Sequence, residues 1–596
     1  MNSFHKAFRR RAPDTFRSRV ATGVVIGSTA ILLAACGGDG GDGNPINEAS
    51  APAACAALNG RTVAANAIGE PSTGAVVTSA TYTAAVPDAL NAGGTAVVQG
   101  LPNYCKLLVD IKPVDPAAPT TKVQVNLPTV WNGKKLQQGG AGFNGVLVTG
   151  LTAVPNAPAD TPLPLSRGYM TAGTDSGHQT AAGVEAQAFA LNAEALTNFA
   201  YASYKNTHDV AVQMALAYYN QKPSRSYYFG GSEGGREGMT MAQRYPADFD
   251  GIFAVDPVLN WSGLQTFGNW VGGIRQQAAA WLGAPGKIQL VHDTVMGACD
   301  AVDGIADGVV SAYKACKPLA DAALAGRRCA SGTDEGAACF SDAQLAAVNA
   351  AHSGYSFNFP LANGVTSYAG FGYGGEGLAG NWSAWMTGTV APTFTAAPNA
   401  AGLGQLFAFG NQYVRYFIAQ NKDFNPLNYN PDNFQARVQA VSAQMDATNP
   451  DLTAYRGRNG KLILKEDLAD TAQSPYTGLN FFEAVVARMG ASSVDGFMRT
   501  YTAQGLPHTS NGIAAASVNA PAYGIPGRFD WLGAMDRWVE GGAAPADQIT
   551  AVNTLAVAPY SVVASKPFCR YPLYPRYVGT GGASGSTAAS FSCVAP

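Results

Sequence analysis

Residues 228–238 read Tyr-Phe-Gly-Gly-Ser-Glu-Gly-Gly-Arg-Glu-Gly and contain the pattern Gly-x-Ser-x-Gly centred on Ser232. A strand-like run, residues 226–229, precedes this pattern, and residues 235–244 can form a helix. A sharp turn from a strand into a helix lifts a serine hydroxyl above the edge of a sheet, and this turn is known as a nucleophile elbow. The context therefore predicts that Ser232 is a nucleophile at the edge of an α/β sheet.

The chain on both sides of the elbow alternates strand-like and helical runs. Strand-like runs lie at residues 122–127, 135–138, 168–172, 226–229, 251–255, 461–464 and 497–500. Helical runs lie at residues 194–219 and 481–489. This alternation predicts an α/β protein with a parallel sheet, and together with the elbow it predicts an α/β-hydrolase fold.

The middle of the chain has a different character, with loops rich in Gly, Trp and Tyr. Its aromatic residues, either lid core or the wall of a pocket, are Tyr373, Trp382, Trp385 and Phe407. We read this region as a large lid domain inserted into the hydrolase core. The predicted segments are a signal peptide at 1–35, a Gly/Asp-rich tether at 36–50, a first core part at 51–260, the lid at 261–455 and a second core part at 456–596.

A nucleophilic serine requires a histidine base, and the order along an α/β-hydrolase chain is serine, acid, histidine. The six histidines are His5, His178, His208, His292, His352 and His508. Three precede Ser232, and His292 and His352 fall within the predicted lid. His508 is therefore the predicted base.

The acid that orients the histidine should follow a core strand before residue 508. The strand-like run 461–464 leads into Glu466, Asp467 and Asp470. Asp467 and Asp470 are both candidates on this ground, and Glu466 is a weaker one.

The oxyanion of an acyl-transfer reaction requires backbone N–H donors. One predicted donor is Glu233, which directly follows the nucleophile. The second should come from the glycine-rich run 139–142, because glycine exposes its N–H without a side chain in the way. The sequence leaves open which residue of this run donates, and we take Gly140 as the candidate.

Composition narrows the class of protein. The 596 residues carry 38 Lys and Arg against 40 Asp and Glu, a net charge of −2, and only 13% of residues are charged. This balance predicts no nucleic-acid partner. A basic N-terminus followed by an uncharged run ends in Leu33-Ala34-Ala35-Cys36, which is typical of a bacterial lipoprotein signal with Cys36 as the lipidated residue. Membrane association is expected only through that anchor.

The other eight cysteines form an even set in a chain predicted to be exported, which favours disulfides. Proximity in the sequence suggests the pairs Cys55–Cys105, Cys299–Cys316, Cys329–Cys339 and Cys569–Cys593.

With these residues placed, the chain resembles the tannase/feruloyl esterase family, which includes the hydrolase of mono(2-hydroxyethyl) terephthalate. The blocks that carry the resemblance are residues 228–238 with 242–252, 174–178, 538–545 and 566–572. The resemblance implies an α/β-hydrolase core with a large lid, and ester hydrolysis through an acyl-enzyme. It also selects Asp470 as the acid and supports His508 as the base.

The resemblance further implies a calcium loop in the lid. The stretch 299–309 would supply carboxylates from Asp300, Asp303 and Asp307 and backbone carbonyls from Ile305 and Val309. Oxygen ligands clustered on a short loop suit Ca²⁺. The expected role of the ion is structural.

One departure from the family lies beside the predicted nucleophile. The family has a cysteine just before the serine and another just after the histidine, which together form a disulfide. This chain has Gly231 and Thr509 at those positions. We therefore expect the family's active-site disulfide cysteines to be absent.

The sequence thus predicts an exported serine ester hydrolase that acts on a small-molecule ester, with aromatic feruloyl, galloyl or phthalate-type esters favoured. A short-chain or polyester-oligomer esterase is one alternative. A surface lipoprotein that binds small molecules without catalysis is another.

Overall fold

The computed structural model describes residues 46–181, 185–394, 402–580 and 585–596. The predicted signal peptide, Cys36 and most of the predicted tether lie outside these residues. Among the described helices, none combines the length and the apolar character needed to cross a membrane.

A mixed sheet of twelve strands forms the centre of the described chain. In chain order the strands are β1 Thr62–Val63, β2 Ala75–Thr83, β3 Tyr104–Ile111, β4 Thr121–Pro128, β5 Lys134–Gln138, β6 Met170–Thr174, β7 Arg225–Gly231, β8 Gly251–Val255, β9 Lys461–Asp467, β10 Met498–Ala503, β11 Gln548–Thr554 and β12 Val562–Arg570. Their order across the sheet is β1-β2-β3-β4-β6-β5-β7-β8-β9-β10-β12-β11. The six strands from β6 to β10 in this order run parallel. The predicted α/β-hydrolase fold is confirmed, and the carboxyl ends of these parallel strands meet at one edge.

The described residues also form fifteen α-helices. They are α1 Ala51–Ala56, α2 Ala193–Thr197, α3 Ser203–Tyr219, α4 Glu233–Arg244, α5 Trp261–Gly272, α6 Lys287–Cys299, α7 Tyr313–Ala325, α8 Asp342–Ser353, α9 Trp382–Trp385, α10 Gln405–Gln412, α11 Gln435–Met445, α12 Thr453–Gly457, α13 Pro475–Met489, α14 Ala491–Asp495 and α15 Trp531–Gly541. Small two-stranded pairs join Ala89–Leu90 to Val97–Val98, Tyr355–Ser356 to Ser367–Tyr368, Gly512–Ile513 to Ile525–Pro526, and Tyr574–Tyr577 to Phe591–Val594.

The parallel strands are buried on both faces because helices cover each side. Along β8, Ile252 packs in the cluster that contains Leu462, whereas the next residue, Phe253, packs with Ile463 and Trp531 on the opposite face. Alternate side chains of a strand point to opposite faces, so an apolar run such as β8 serves two cores at once.

The chain leaves the sheet after β8 and returns at β9, which pairs directly with β8. Helices α5 to α12 lie in this excursion, and the largest apolar cluster draws mostly on it. The insertion therefore separates two neighbouring strands, and the boundaries 261 and 455 for the lid stay a prediction.

All four predicted disulfides are present. They are Cys55–Cys105, Cys299–Cys316, Cys329–Cys339 and Cys569–Cys593. This finding corrects the expectation of absent disulfide cysteines, because the described residues hold four bridges. The family cysteines that this sequence lacks are the one before the nucleophile and the one after the histidine, where the chain has Gly231 and Thr509. Structural disulfides persist in oxidising compartments, so the protein is exported.

Candidate active site

Ser232 occupies the turn between β7 and α4, with φ 58° and ψ −124°. Its N–H donates to Val255 O at 2.8 Å, which ties the turn to β8. The turn is tight: a Cβ at Gly230 would lie 2.3 Å from Gly234 O, and one at Gly234 would lie 2.7 Å from Gly140 O. Glycine is required at both positions because the backbone segments approach so closely.

A histidine and a carboxylate meet above the neighbouring strands. His508 follows β10, Asp470 follows β9, and His508 Nδ1 lies 2.6 Å from Asp470 Oδ2. Asp470 is fully buried, and its Oδ1 accepts from the N–H groups of Ala472 at 2.7 Å and Gln473 at 3.1 Å. These bonds fix the carboxylate so that it can orient the imidazole through Nδ1.

Ser232 and His508 both line a cavity of about 270 Å³. Within the described residues the Ser232 hydroxyl makes no hydrogen bond, so its position is open to an incoming ligand. The apolar walls of the cavity are Val258, Trp261, Leu264, Trp385, Leu406 and Phe409. We call this space the aromatic cavity.

Of the four lid aromatic residues for which the sequence allowed either a core or a pocket position, one lines the cavity and three do not. Trp385 lines the aromatic cavity, and its ring centroid lies 5.8 Å from that of His508. Tyr373, Trp382 and Phe407 are buried, at 8%, 0% and 1% exposure, and do not line the cavity. Phe409, two residues beyond Phe407, was not singled out from the sequence.

The two predicted oxyanion donors have different surroundings. Glu233 is the first residue of α4, and among the described residues its N–H has no protein acceptor. The Gly140 N–H donates to Glu237 Oε2 at 3.2 Å, and the next N–H, of Ala141, donates to Asn144 Oδ1 at 2.8 Å. The role of Gly140 as a donor therefore stays a prediction, and its N–H has a competing acceptor.

A second buried carboxylate, Asp256, lies at the site and was missed by sequence reasoning. Its Oδ1 accepts from the N–H of Asp467 at 2.7 Å, and its Oδ2 accepts from the N–H of Thr509 at 2.6 Å. Asp467 in turn accepts from the Ser510 N–H at 3.2 Å and pairs with Lys465. Asp256 and Asp467 therefore hold the two residues that follow His508, Thr509 and Ser510. We call these two carboxylates the clamp.

A signal for Asp256 was present in the sequence. Asp256 directly follows the strand-like run 251–255, which is the position expected of a residue that orients the histidine. It precedes the predicted lid, however, whereas the predicted candidates Glu466, Asp467 and Asp470 all follow it. One side-chain atom each of Asp256, Asp470 and His508 lies within 4.8 Å of the other two.

Burial raises the pKa of both carboxylates of the clamp. Loss of water, followed by the nearby charge of Asp467, raises the pKa of Asp256 well above its ordinary value. Burial also raises the pKa of Asp467, although Lys465 opposes that shift. Because several carboxylates share one lysine here, a proton on Asp256 relieves their mutual repulsion.

The helix of the elbow carries its own buried ion pair. Glu233 contacts Arg236, which is fully buried and also donates to Phe199 O and Ala200 O at 3.1 and 2.8 Å. Burial raises the pKa of Glu233 to about 7, with Arg236 opposing the shift. The pair anchors the start of α4 directly behind Ser232.

The predicted calcium loop folds around Asp300. Its Oδ1 accepts the N–H groups of Asp307 at 3.1 Å, Gly308 at 2.9 Å and Val309 at 3.2 Å. The carboxylate therefore organises the loop, whose Cys299 is bonded to Cys316.

Two carboxylate oxygens of this loop are suited to a cation. Asp303 Oδ2 and Asp307 Oδ1 are buried and have no partner among the described residues. The other oxygen of Asp307 lies 2.8 Å from Lys566 Nζ and 2.7 Å from the Tyr523 hydroxyl. The carboxylate oxygens of Asp300, Asp303 and Asp307 do not all lie within 4.8 Å of one another. The donors fit Ca²⁺ in type, and the two buried oxygens without partners would gain most from the ion.

A nucleophile elbow, a paired histidine and carboxylate, and an adjoining cavity define the class of serine hydrolases with an α/β-hydrolase fold. The family model described as tannase and feruloyl esterase matches residues 105–594. The chain therefore belongs to the tannase and feruloyl esterase family, and the protein is a carboxylic ester hydrolase.

Relatives match nearly the whole chain. An uncharacterized esterase of Agrobacterium fabrum is 32% identical over 549 residues, which cover 90% of this chain and 92% of the relative. The mono(2-hydroxyethyl) terephthalate hydrolase of Piscinibacter sakaiensis is 30% identical over 571 residues, covering 88% and 89%.

Solved structures agree in fold. The crystal structure of feruloyl esterase B from Aspergillus oryzae matches with a TM-score of 0.70 at 23% identity, covering 91% of this chain and 100% of that one. The tannin acyl hydrolase of Aspergillus niger matches with a TM-score of 0.64 at 20% identity, covering 88% and 92%. At these identities the likeness concerns the fold.

Proposed function

We propose that Ser232, His508 and Asp470 form the catalytic triad of this esterase. The observation that carries the proposal is the 2.6 Å contact between His508 Nδ1 and Asp470 Oδ2, together with a cavity lined by both His508 and Ser232. Asp470 holds the imidazole tautomer that leaves Nε2 able to accept the proton of Ser232 Oγ.

The reaction then follows from these positions. Ser232 Oγ attacks the ester carbonyl while His508 takes its proton, and the carbonyl oxygen becomes an oxyanion that accepts from the Glu233 N–H. His508 returns the proton to the alcohol oxygen as the C–O bond breaks, leaving an acyl group on Ser232. Water, deprotonated by His508, attacks the acyl-enzyme, and the bond between the acyl carbon and Ser232 Oγ breaks. His508 returns the proton to Ser232 Oγ as the carboxylic acid leaves.

The substrate class follows from the walls of the aromatic cavity. Phe409 stacks on Phe143 with ring centroids 5.1 Å apart and on Trp385 with ring centroids 6.1 Å apart, and Trp385 lies beside His508. Flat apolar walls favour an aromatic ring in the acyl part of the ester. Relatives named feruloyl esterase and mono(2-hydroxyethyl) terephthalate hydrolase support aromatic esters.

An ester panel tests this function. The exported chain is assayed on p-nitrophenyl acetate, methyl ferulate, methyl gallate and mono(2-hydroxyethyl) terephthalate, with Ser232→Ala as the matched control. We expect turnover of at least one aromatic ester and loss of that turnover in the variant. Turnover of none, or turnover that survives Ser232→Ala, contradicts the proposal.

We also propose that a structural Ca²⁺ binds the loop at residues 300–309. The buried oxygens of Asp303 and Asp307 without partners support carboxylate ligation, and Asp300 shapes the loop. The carbonyls of Ile305 and Val309 complete the proposed ligand set. Metal analysis of the purified protein, with Asp303→Asn as the comparison, should find about one calcium per wild-type chain and less in the variant.

We propose that Cys36 carries a lipid that anchors the exported protein to a membrane, and that the lid spans residues 261–455. Cys36→Ser should move the protein from the membrane fraction to the soluble one, and a protein that stays in the membrane fraction would contradict the anchor.

A further inference from the structure

A second cavity of about 350 Å³ also has Ser232 in its lining. Ala141, Ser232 and Thr509 line both spaces. Of the described residues that line the second cavity, only Arg528 carries a charge. We call this second space the arginine cavity.

Arg528 is held firmly at the edge of this cavity. Its backbone N–H donates to Val552 O at 3.2 Å and its carbonyl accepts from the Val552 N–H at 3.0 Å. Its Nη1 donates to Ala157 O at 2.7 Å, and Ala157 also lines the cavity. Two hydrogen bonds therefore fix the backbone of Arg528, and one fixes its guanidinium.

The charge of Arg528 has no carboxylate partner among the described residues. The side chain is half-buried, and loss of water lowers the pKa of its guanidinium without an opposing acid. By contrast, the buried Arg236 and Arg415 are paired with Glu233 and Glu185. An unpaired, partly desolvated guanidinium gains strongly from an anionic ligand.

A neighbouring amide supports the same chemistry. Asn511 lines the arginine cavity, and its Oδ1 accepts from the Asn156 N–H at 2.9 Å. This contact leaves the Asn511 NH₂ group as a donor, and it has no acceptor among the described residues. The cavity thus offers a cation and an amide donor but no acid.

Because Ser232 lines both cavities, an ester held at Ser232 can place its acyl part in one cavity and its alcohol part in the other. If the aromatic acyl group occupies the aromatic cavity, as the proposed function holds, the alcohol part extends into the arginine cavity. Resting on that function, we propose that the preferred substrate has an alcohol part bearing a carboxylate, and that Arg528 binds this carboxylate.

The test compares two ferulate esters that differ only in charge, carboxymethyl ferulate and its neutral amide, carbamoylmethyl ferulate. The wild-type protein should prefer the carboxylate in kcat/KM by about 10- to 100-fold, mainly through KM. Arg528→Gln should reduce this ratio to about one, and Arg528→Lys, which keeps a charge without the planar fork, should retain part of it. Arg537→Gln, at an exposed arginine of α15, is the matched control and should keep the full ratio.

The outcomes separate this inference from the proposed function. If both esters are hydrolysed equally in a Ser232-dependent manner, or if Arg528→Gln keeps the wild-type ratio, the arginine cavity does not select an anion. If neither these two esters nor any aromatic ester of the panel is hydrolysed, or if Ser232→Ala retains turnover, the proposed function itself fails; if panel esters are hydrolysed but neither ferulate ester here is, only the arginine-cavity proposal is overturned. Thermal unfolding of each variant shows whether the protein remains folded.

A further pair of esters tests the placement. Monomethyl and dimethyl terephthalate differ by a carboxylate on the acyl side, so their kcat/KM ratio should be the same in the wild type and in Arg528→Gln. A ratio that changes for this pair, while the ferulate pair stays unaffected, would overturn the assignment of Arg528 to the alcohol.

Discussion

The two sides of the aromatic cavity are built in different ways. On the sheet side, Ser232, Asp470 and His508 follow the parallel strands β7, β9 and β10 and are held by hydrogen bonds. On the lid side, Trp385 and Phe409 contribute rings that pack on other rings. The difference teaches that, in the proposed function, the sheet places the reacting groups, whereas the insertion between β8 and β9 supplies apolar rings that line the space for the substrate.

This division has a physical basis. Proton transfer requires atoms placed to a fraction of an ångström, which short hydrogen bonds to a rigid sheet provide. Apolar contact is not directional, so an inserted lid can change its aromatic residues without disturbing the reacting atoms. We therefore expect substitutions on the sheet side to change catalysis more than substitutions on the lid side.

The largest of these effects is expected at the acid. Asp470→Asn should lower kcat by about 10³- to 10⁴-fold, because the amide cannot hold the His508 tautomer. Asp467→Asn is the comparison: it leaves Lys465 without its buried partner, so it should mainly lower the melting temperature. Kinetics and thermal unfolding of both variants check this, and the reverse result would make Asp467 the acid.

A smaller but clear loss is expected for the clamp. Asp256→Asn turns an amide donor toward the N–H of Thr509 or of Asp467, so the loop after His508 should shift. We expect kcat to fall about 10-fold or more, with KM changing little.

Asp175→Asn is the matched control for this change. Asp175 is a buried carboxylate that also accepts two backbone N–H groups, from Lys122 and Gly177, and it does not line either cavity. Equal loss of kcat in both variants would mean that the clamp has no specific role in catalysis.

On the lid side, Phe407 and Phe409, which are two positions apart in the sequence, give a matched pair. Phe409→Ala should raise KM for methyl ferulate by about 10-fold and leave KM for p-nitrophenyl acetate nearly unchanged, since only the larger acyl group contacts the ring. Phe407→Ala, in the buried lid core, should instead lower the melting temperature. If Phe409→Ala affects both esters alike, its ring does not form the acyl pocket.

The smallest effect on catalysis is expected at the calcium loop. Chelation with EDTA should lower the melting temperature by a few degrees, because an ion bound only to the folded state contributes about 3 kcal/mol at 100 times its Kd. Asp303→Asn should already be less stable and should respond little to EDTA. A wild-type protein that does not respond to EDTA, and whose metal analysis finds no calcium, would contradict the ion.

Much of the sheet side could be predicted from the sequence, because strong local patterns encode it. The run 251–255 became β8 with the same limits, and the Gly-x-Ser-x-Gly pattern gave the elbow at Ser232. The run 461–464 was found but is longer in the structure, extending to Asp467, because polar residues continue the strand inside the protein.

The rest depends on contacts that are distant in the sequence. Helix α13 begins at Pro475, six residues before the predicted start, and it tolerates Gly478 because the Glu466 carboxylate fills the space of a side chain there. The clamp at Asp256 joins residues about 250 positions apart. Phe409 and Arg528 each line a cavity together with Ser232 only through tertiary packing, so no local pattern distinguishes them.

The most direct test of the central claim is covalent trapping of the nucleophile. The exported chain is treated with an aryl phosphonate ester that mimics the tetrahedral intermediate, digested, and mapped by mass spectrometry. The account predicts one adduct, on Ser232, formed in step with loss of esterase activity and absent in Ser232→Ala. An adduct on another residue, or full inactivation of the Ser232→Ala protein's remaining esterase activity by the same reagent, would contradict it.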